Sequence, residues 1–108
     1  MSNLTFDQAM TIVRATLDQG HALNLKPLTV AVLDSGGHLI AFAKEGGGLL
    51  RENIARGKAY GALGMGMSSR MLNKLGDDRP MFMQSVIDAS GGRVVPVPGG
   101  VLVRDADG

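Results

Sequence analysis

The sequence contains no cysteine and no tryptophan, and it has only three phenylalanines and one tyrosine. The missing cysteine excludes disulfide bonds, thiolate zinc sites, iron–sulfur clusters and cysteine nucleophiles. The shortage of aromatic rings removes the platforms on which single-stranded nucleic acid stacks its bases. Chemistry based on thiols is therefore excluded, and nucleic acid is not an expected partner.

Charge of one sign is not concentrated in any part of the chain. Eleven Lys and Arg against ten Asp and Glu give a net charge of +1, without the like-charge blocks that mark nucleic-acid or membrane binding. No apolar run approaches the ~20 residues of a membrane-spanning helix, and the first residues lack the regions of a signal peptide. We therefore expect a cytoplasmic protein without nucleic-acid or membrane partners, and 108 residues forming a single domain over 1–108.

The first half of the chain predicts one helix and one hairpin. Thr5 and Gln8 have the spacing of a capping box, which favours a helix that begins there and frays near His21. Two apolar, β-branched runs follow, at 28–33 and 38–43, and the Asp-Ser-Gly-Gly turn between them is typical of a β-hairpin. This order of elements predicts a mixed α/β chain of the α+β type.

A second helix is predicted over about 50–65, and it carries glycine at positions 57, 61 and 64. A glycine in an exposed helix interior costs about 1 kcal/mol relative to alanine, so something must offset that cost. Two explanations stay open: another stretch of backbone packs closely on the glycine face, or a flat ligand lies on it.

Two shorter helices and an extended tail follow in the second half. Serine before the first helix and aspartate before the second are suitable N-caps, and Pro80 suits a first helical turn. The predicted elements are a helix from Ser68 or Ser69 through Leu75 ended by Gly76, a helix capped by Asp77 or Asp78 and running to Ala89, an extended segment over 91–100, a strand over 101–104 and a turn over 105–108. A strand and a turn without a partner strand predict that the natural protein continues.

Three blocks of the sequence carry a family resemblance. LTVAVLDSGGHLIAFAKEGG, IARGKAYGALGMG and SGGRVVPVPGGVLVRDADG resemble successive blocks of the GlcG/HbpS-type haem-binding family, which also includes the C-terminal domain of PduO-type proteins. The resemblance extends from Leu4 onward. It implies homo-oligomers, haem as a cofactor, and an antiparallel sheet of about five strands with flanking helices in a profilin-like α-β-α arrangement. Such relatives continue with a further strand and helix, so the resemblance implies a C-terminally incomplete domain.

Two histidines are candidate haem ligands, because haem iron takes an axial donor such as His, Met or Tyr. His21 resembles the haem-ligand position of PduO-type relatives and is therefore the candidate metal ligand. Its alternative role is a solvated histidine that interacts favourably with the C-terminal end of the helix dipole. His38 begins the second strand as a further candidate, and its alternative is an exposed turn residue.

Cationic and small residues around the second helix complete the candidate site. Lys58 resembles a lysine typical of the family and could hold a propionate or another carboxylate as a point charge. Its alternative is a solvated position or an ion pair. Arg51 is a weaker version of the same idea, and Gly61 lies on the face that a flat ligand would cover.

The sequence is therefore compatible with two functions. The first is a haem-binding or haem-handling oligomeric domain. The second is a non-catalytic accessory to small-acid or corrinoid metabolism, or an assembly module in which the glycine helix makes subunit contacts. Asp34, Ser35 and His38 do not define a hydrolase, because all three lie in one turn where turn formation explains them, and no reaction is assigned to the chain.

Overall fold

The computed structural model describes residues 4–104, and within them the chain forms four helices and one antiparallel hairpin. None of these helices is long and apolar enough to cross a membrane. The contacts divide the chain into two compact units, Met1–Ala55 and Arg56–Gly108. The elements are α1 (Phe6–Ala22), β1 (Thr29–Leu33), β2 (Leu39–Lys44), α2 (Arg51–Met65), α3 (Ser69–Asp78) and α4 (Pro80–Ala89). The mixed α+β class predicted from the sequence is confirmed.

The capping box at the start of α1 is confirmed. The Thr5 hydroxyl accepts a hydrogen bond from the Gln8 amide at 3.1 Å, and the Gln8 side-chain oxygen accepts one from the Thr5 amide at 2.9 Å. These bonds satisfy backbone donors that have no partner within the helix. One face of the helix then buries Ala9 and Val13.

The predicted hairpin is confirmed: β1 begins one residue later than expected and ends as expected, and β2 is displaced by one residue at both ends. Strands β1 and β2 pair from Thr29 opposite Lys44 to Leu33 opposite Leu39. Helix α1 packs against both strands. The buried cluster in this unit joins two helix residues to two strand residues: Ala9, Val13, Val32 and Ala41.

The glycine face of α2 is covered by the chain's own segment 93–95. The Val95 amide donates a hydrogen bond to the Gly57 carbonyl at 3.1 Å. A Cβ atom on Gly57 would overlap the Val95 side chain, and one on Gly61 would lie 3.0 Å from Val94 Cγ1. Close packing therefore accounts for glycine at these two positions. Gly64 is different, because nothing lies within 4 Å of the place its Cβ would take.

Ser69, the first residue of α3, forms hydrogen bonds with the end of the tail over 93–100. Its hydroxyl accepts a hydrogen bond from the Gly100 amide at 2.6 Å, and its own amide donates to the Gly100 carbonyl at 2.9 Å. Ser69 is completely buried, so both bonds are shielded from competing water. The tail over 93–100 is thus held at both ends although it contains no strand.

The boundary between α3 and α4 was predicted wrongly. Gly76 does not end α3, and Asp77 and Asp78 lie inside that helix instead of capping the next one. The N-cap of α4 is Arg79, without a side-chain capping bond, and Pro80 stands in the first turn as expected. Proline restricts the residue before it to extended backbone, which matches the φ of −137° at Arg79 and moves the break past both aspartates.

The strand expected over 101–104 is also wrong, because these residues have no regular secondary structure. A strand requires a hydrogen-bonded neighbour, and within residues 4–104 β1 and β2 pair with each other alone. The turn predicted over 105–108 lies outside the described residues. The sheet of about five strands and the profilin-like arrangement stay predictions of the resemblance.

Two glycine-to-alanine substitutions on α2 distinguish the contribution of packing to stability from that of helix propensity. We expect Gly57→Ala to lower the free energy of unfolding by about 1–3 kcal/mol, because the new methyl group overlaps Val95. The matched variant Gly64→Ala has open space and should raise that free energy by about 0.5–1 kcal/mol. Urea unfolding followed by circular dichroism measures both, and equal effects of the two substitutions would contradict the packing described here.

Candidate functional site

His21, the candidate metal ligand, lies in the last turn of α1 and contacts Glu45. Its Nε2 atom is 2.5 Å from the Glu45 Oε2 atom, and 64 % of its side chain remains exposed. The other carboxylate oxygen of Glu45 accepts a hydrogen bond from the Leu28 amide at 3.0 Å. The Glu45 amide in turn donates to the Leu28 carbonyl. One carboxylate therefore joins the end of α1 to the open end of the hairpin.

These bonds lower the pKa of Glu45. The Leu28 amide, which donates to the carboxylate, is the largest cause that holds the pKa of Glu45 below its ordinary value. The hydrogen bond from His21 lowers the pKa further. A carboxylate that stays ionised beside an imidazole fixes the orientation of the ring, as carboxylates do for histidines that bind metals.

An open groove lies along the same end of α1. It is wide open to solvent, with a volume of about 520 Å³, and it exposes mainly apolar side chains. Gly20, which precedes His21, forms part of it. A Cβ atom on Gly20 would stand 2.5 Å from Leu28 Cδ1, so the missing side chain lets Leu28 approach the helix. The lining residues are Ala15, Thr16, Gln19, Gly20, Leu25 and Leu28.

His38 is engaged in the hairpin turn. The Asp34 Oδ1 atom accepts hydrogen bonds from the amides of Gly36 and His38, both at 2.9 Å, and lies 3.1 Å from His38 Nδ1. The His38 amide is the largest cause that lowers the pKa of Asp34. The His38 side chain is 80 % exposed. The geometry is that of an Asx turn closed by a histidine.

The three remaining candidates all lie on α2. Arg51 is the first residue of the helix and is exposed, with its side chain against Gly47. Lys58 is half-buried, and its ammonium group lies beside Gly99. Gly61 is buried beneath Val94. Sequence reasoning therefore placed Lys58 and Gly61 correctly on one helix, but the face at Gly61 is occupied by the chain itself.

Glu45 is the functional candidate that sequence reasoning missed. It lies 24 residues from His21, so no helical or strand periodicity connects the two. The register of the hairpin could have indicated its position. Glu45 directly follows β2 and therefore lies opposite Leu28, which precedes β1 and follows the end of α1. Within residues 4–104, no group of three or more His, Asp or Glu side chains is arranged to hold a metal ion.

One family model matches the chain. Its description is "Haem degrading protein HbpS-like", and the match covers residues 4–108. No curated protein and no solved structure matches the chain. The match includes both the hairpin unit that carries His21 and the helical unit that carries Lys58.

The lowered pKa of Glu45 predicts acid-sensitive stability. Its folded pKa lies below the ordinary 4.5, so its contribution is complete above that value and disappears as pH falls through the lowered pKa. We expect Glu45→Gln to flatten the decrease of melting temperature below about pH 5. The exposed carboxylate variant Asp18→Asn is the control. Parallel profiles for Glu45→Gln and the parent protein, recorded by thermal circular dichroism, would show that the contact contributes nothing.

Proposed function

The chain belongs to the HbpS-like family of haem degrading proteins, and from this membership we propose that it binds haem through His21. The family match is the observation that carries the proposal. The structure adds a histidine whose ring is largely exposed and already paired with a carboxylate. Haem, when bound, supplies an iron centre that accepts axial ligands and changes oxidation state.

The His21–Glu45 pair fits the requirements of an axial ligand. Histidines that ligate metals donate their second ring N–H to a carboxylate or carbonyl, which fixes the tautomer and increases the basicity of the coordinating nitrogen. The Nε2 atom of His21 contacts the Glu45 carboxylate. Nδ1 is therefore the ring nitrogen that remains available for iron. Glu45 is itself held by the Leu28 amide, and the ring is therefore oriented before any ligand arrives.

The groove whose lining includes Gly20, the residue before His21, supplies apolar surface of the kind that a porphyrin needs. Cofactor sites are concave and mostly apolar, with few polar groups. Ala15, Leu25 and Leu28 form the apolar part of this groove, and Leu25 is 53 % exposed. Burying the exposed half of this leucine against a ligand gains roughly 0.8–1.5 kcal/mol, about half of the value for a fully exposed side chain. His38 has no apolar groove among its described contacts, so it is the weaker candidate.

We further propose that the domain assembles into a homo-oligomer with a larger sheet. Sheets of about five strands are common, whereas the described residues form two strands covered by one helix. Within the described residues each strand of the hairpin has one unpaired edge. Added strands would satisfy those backbone groups, and they would complete the profilin-like arrangement that the family resemblance implies. A cytoplasmic location stays a prediction of the sequence.

Haem titration followed by absorbance tests the proposed ligand. We expect saturable binding with a shifted Soret band in the parent protein and a dissociation constant at least about tenfold higher in His21→Ala, because the axial bond is lost. His38→Ala is the matched control, since it removes the other histidine, and it should bind as the parent does.

Glu45→Gln adds an intermediate case. Removing the carboxylate weakens the bond between a histidine and a metal without removing the ligand, so Glu45→Gln should bind haem more weakly than the parent and more tightly than His21→Ala. Absence of saturable binding in the parent protein would refute haem binding. Equal affinities of His21→Ala and His38→Ala would refute the assignment of His21.

A further inference from the structure

Methionine carries all of the sulfur in this chain, which has seven methionines and no cysteine. Where a cysteine is present, its thiolate is the first side chain that peroxides oxidise. A methionine thioether takes up one oxygen atom and becomes a sulfoxide, which dedicated reductases return to the thioether. Reversible oxidation of sulfur in this protein therefore falls on methionine, and the structure decides which methionine reacts first.

Helix α4 carries two methionines of opposite accessibility. Met81 is 86 % exposed, whereas Met83 is 3 % exposed. Positions two residues apart in an α-helix are about 200° apart around its axis, so the two side chains leave the helix on opposite sides. The other described methionines fall between these extremes: Met71 is 58 % exposed, and Met10, Met65 and Met67 are half-buried.

Met83 is buried where α4 packs against α3. A Cβ atom on Gly76 of α3 would stand 3.4 Å from Met83 Cγ, so the glycine leaves space for the thioether side chain between the two helices. A sulfoxide at Met83 would put a polar oxygen into this contact, where an unpaired polar group is costly. The fold therefore shields Met83 from an oxidant, and the packing of the two helices depends on that shielding.

Met81 has the opposite surroundings. An oxygen atom added to the thioether of this exposed side chain would be hydrated by solvent, so the polar product has little desolvation cost. The first turn of α4 is held through the Met81 backbone, whose carbonyl accepts a hydrogen bond from the Ser85 hydroxyl at 3.0 Å. The thioether of Met81 can therefore be oxidised while the helix keeps its hydrogen bonds.

We propose that Met81 is a site of reversible oxidation by hydroperoxides and that it reacts before the buried Met83 on the same helix. In this step the sulfur lone pair forms a bond to one oxygen of the hydroperoxide while the O–O bond breaks. The sulfur loses two electrons and the hydroperoxide is reduced. The proton on the transferred oxygen passes to the departing oxygen, which leaves as water or as an alcohol. The proposal concerns the helical unit alone and does not depend on haem binding.

Peptide mapping during oxidation tests the order of reaction. The haem-free protein is treated with excess hydrogen peroxide, samples are quenched with catalase over time, and tandem mass spectrometry locates the added oxygen. Trypsin leaves Met81 and Met83 together in peptide 75–93, because Pro80 protects Arg79 from cleavage, so both are compared within one peptide. We expect Met81 to be oxidised at least about tenfold faster than Met83, since susceptibility follows exposure.

Oxidation in concentrated urea is the control for burial. Neither side chain is shielded in the unfolded chain, so Met81 and Met83 should then be oxidised at similar rates. A difference that persists in urea would come from the local sequence and would overturn the structural assignment.

Two variants and one enzymatic treatment test the assignment to Met81. Met81→Leu keeps an apolar side chain of similar volume and should remove the fastest phase of oxidation. Met71→Leu is the matched control, because it removes the other strongly exposed methionine, and it should leave the rate at Met81 unchanged. The two classes of methionine sulfoxide reductase, each acting on one sulfoxide epimer, should together restore the Met81 thioether. A Met81 sulfoxide that they leave in place would overturn the reversibility.

Thermal circular dichroism measures the consequence of each oxidation. Protein oxidised at Met81 alone should melt within about 3 °C of the unmodified protein, because changes at exposed positions alter stability little. Protein oxidised at Met83 as well should melt at a lower temperature. Equal oxidation rates of Met81 and Met83 in the folded parent protein would overturn the proposal, and that measurement does not depend on any variant.

Discussion

The helical unit depends on the absence of side chains at two positions of α2. Gly57 and Gly61 let the backbone of residues 93–95 approach the helix closely enough for the Val95 amide to bond the Gly57 carbonyl. That approach buries Val94 and brings the following tail across Lys58. The cost of glycine in a helix is thereby offset by packing and by a backbone hydrogen bond that a longer side chain would prevent. The half-buried state of Lys58 is a consequence of the same approach.

The hairpin unit depends on a different interaction, the carboxylate of Glu45. It accepts bonds from the Leu28 amide and from His21, and it does so from the residue directly after β2. Charge-assisted bonds to a carboxylate are about twice as strong as neutral ones, although the exposure of His21 weakens this one. The helix and the hairpin also share apolar contacts at Val13 and Val32. Glu45 adds what apolar packing cannot, which is a defined orientation of the His21 ring.

Local signals predicted the first half of the fold well, and non-local contacts explain the failures. The capping box at Thr5 and the Asp-Gly turn act within a few residues, so the sequence displays them directly. The wrong helix boundary near Asp77 has a local cause. A helix-ending glycine, N-capping aspartates and a proline of the first helical turn lie within residues 76–80, and of these Pro80 restricts the backbone most strongly. The contact of His21 with Glu45 and the approach of Gly99 to Lys58 could not be predicted from spacing, because tertiary packing brings each pair together from separate segments. The glycines of α2 were recognised as unusual, but the segment that covers them lies more than thirty residues away.

His21 and Lys58 differ in what the described residues provide for them. His21 contacts the Glu45 carboxylate, and the Leu28 amide donates to the same carboxylate, so two separate bonds orient the histidine ring. Lys58 lies beside Gly99, and within residues 4–104 no hydrogen bond or ion pair orients its ammonium group. A side chain that its own chain already orients loses less entropy when a ligand binds. This difference is why the proposed function is assigned to His21 and not to Lys58.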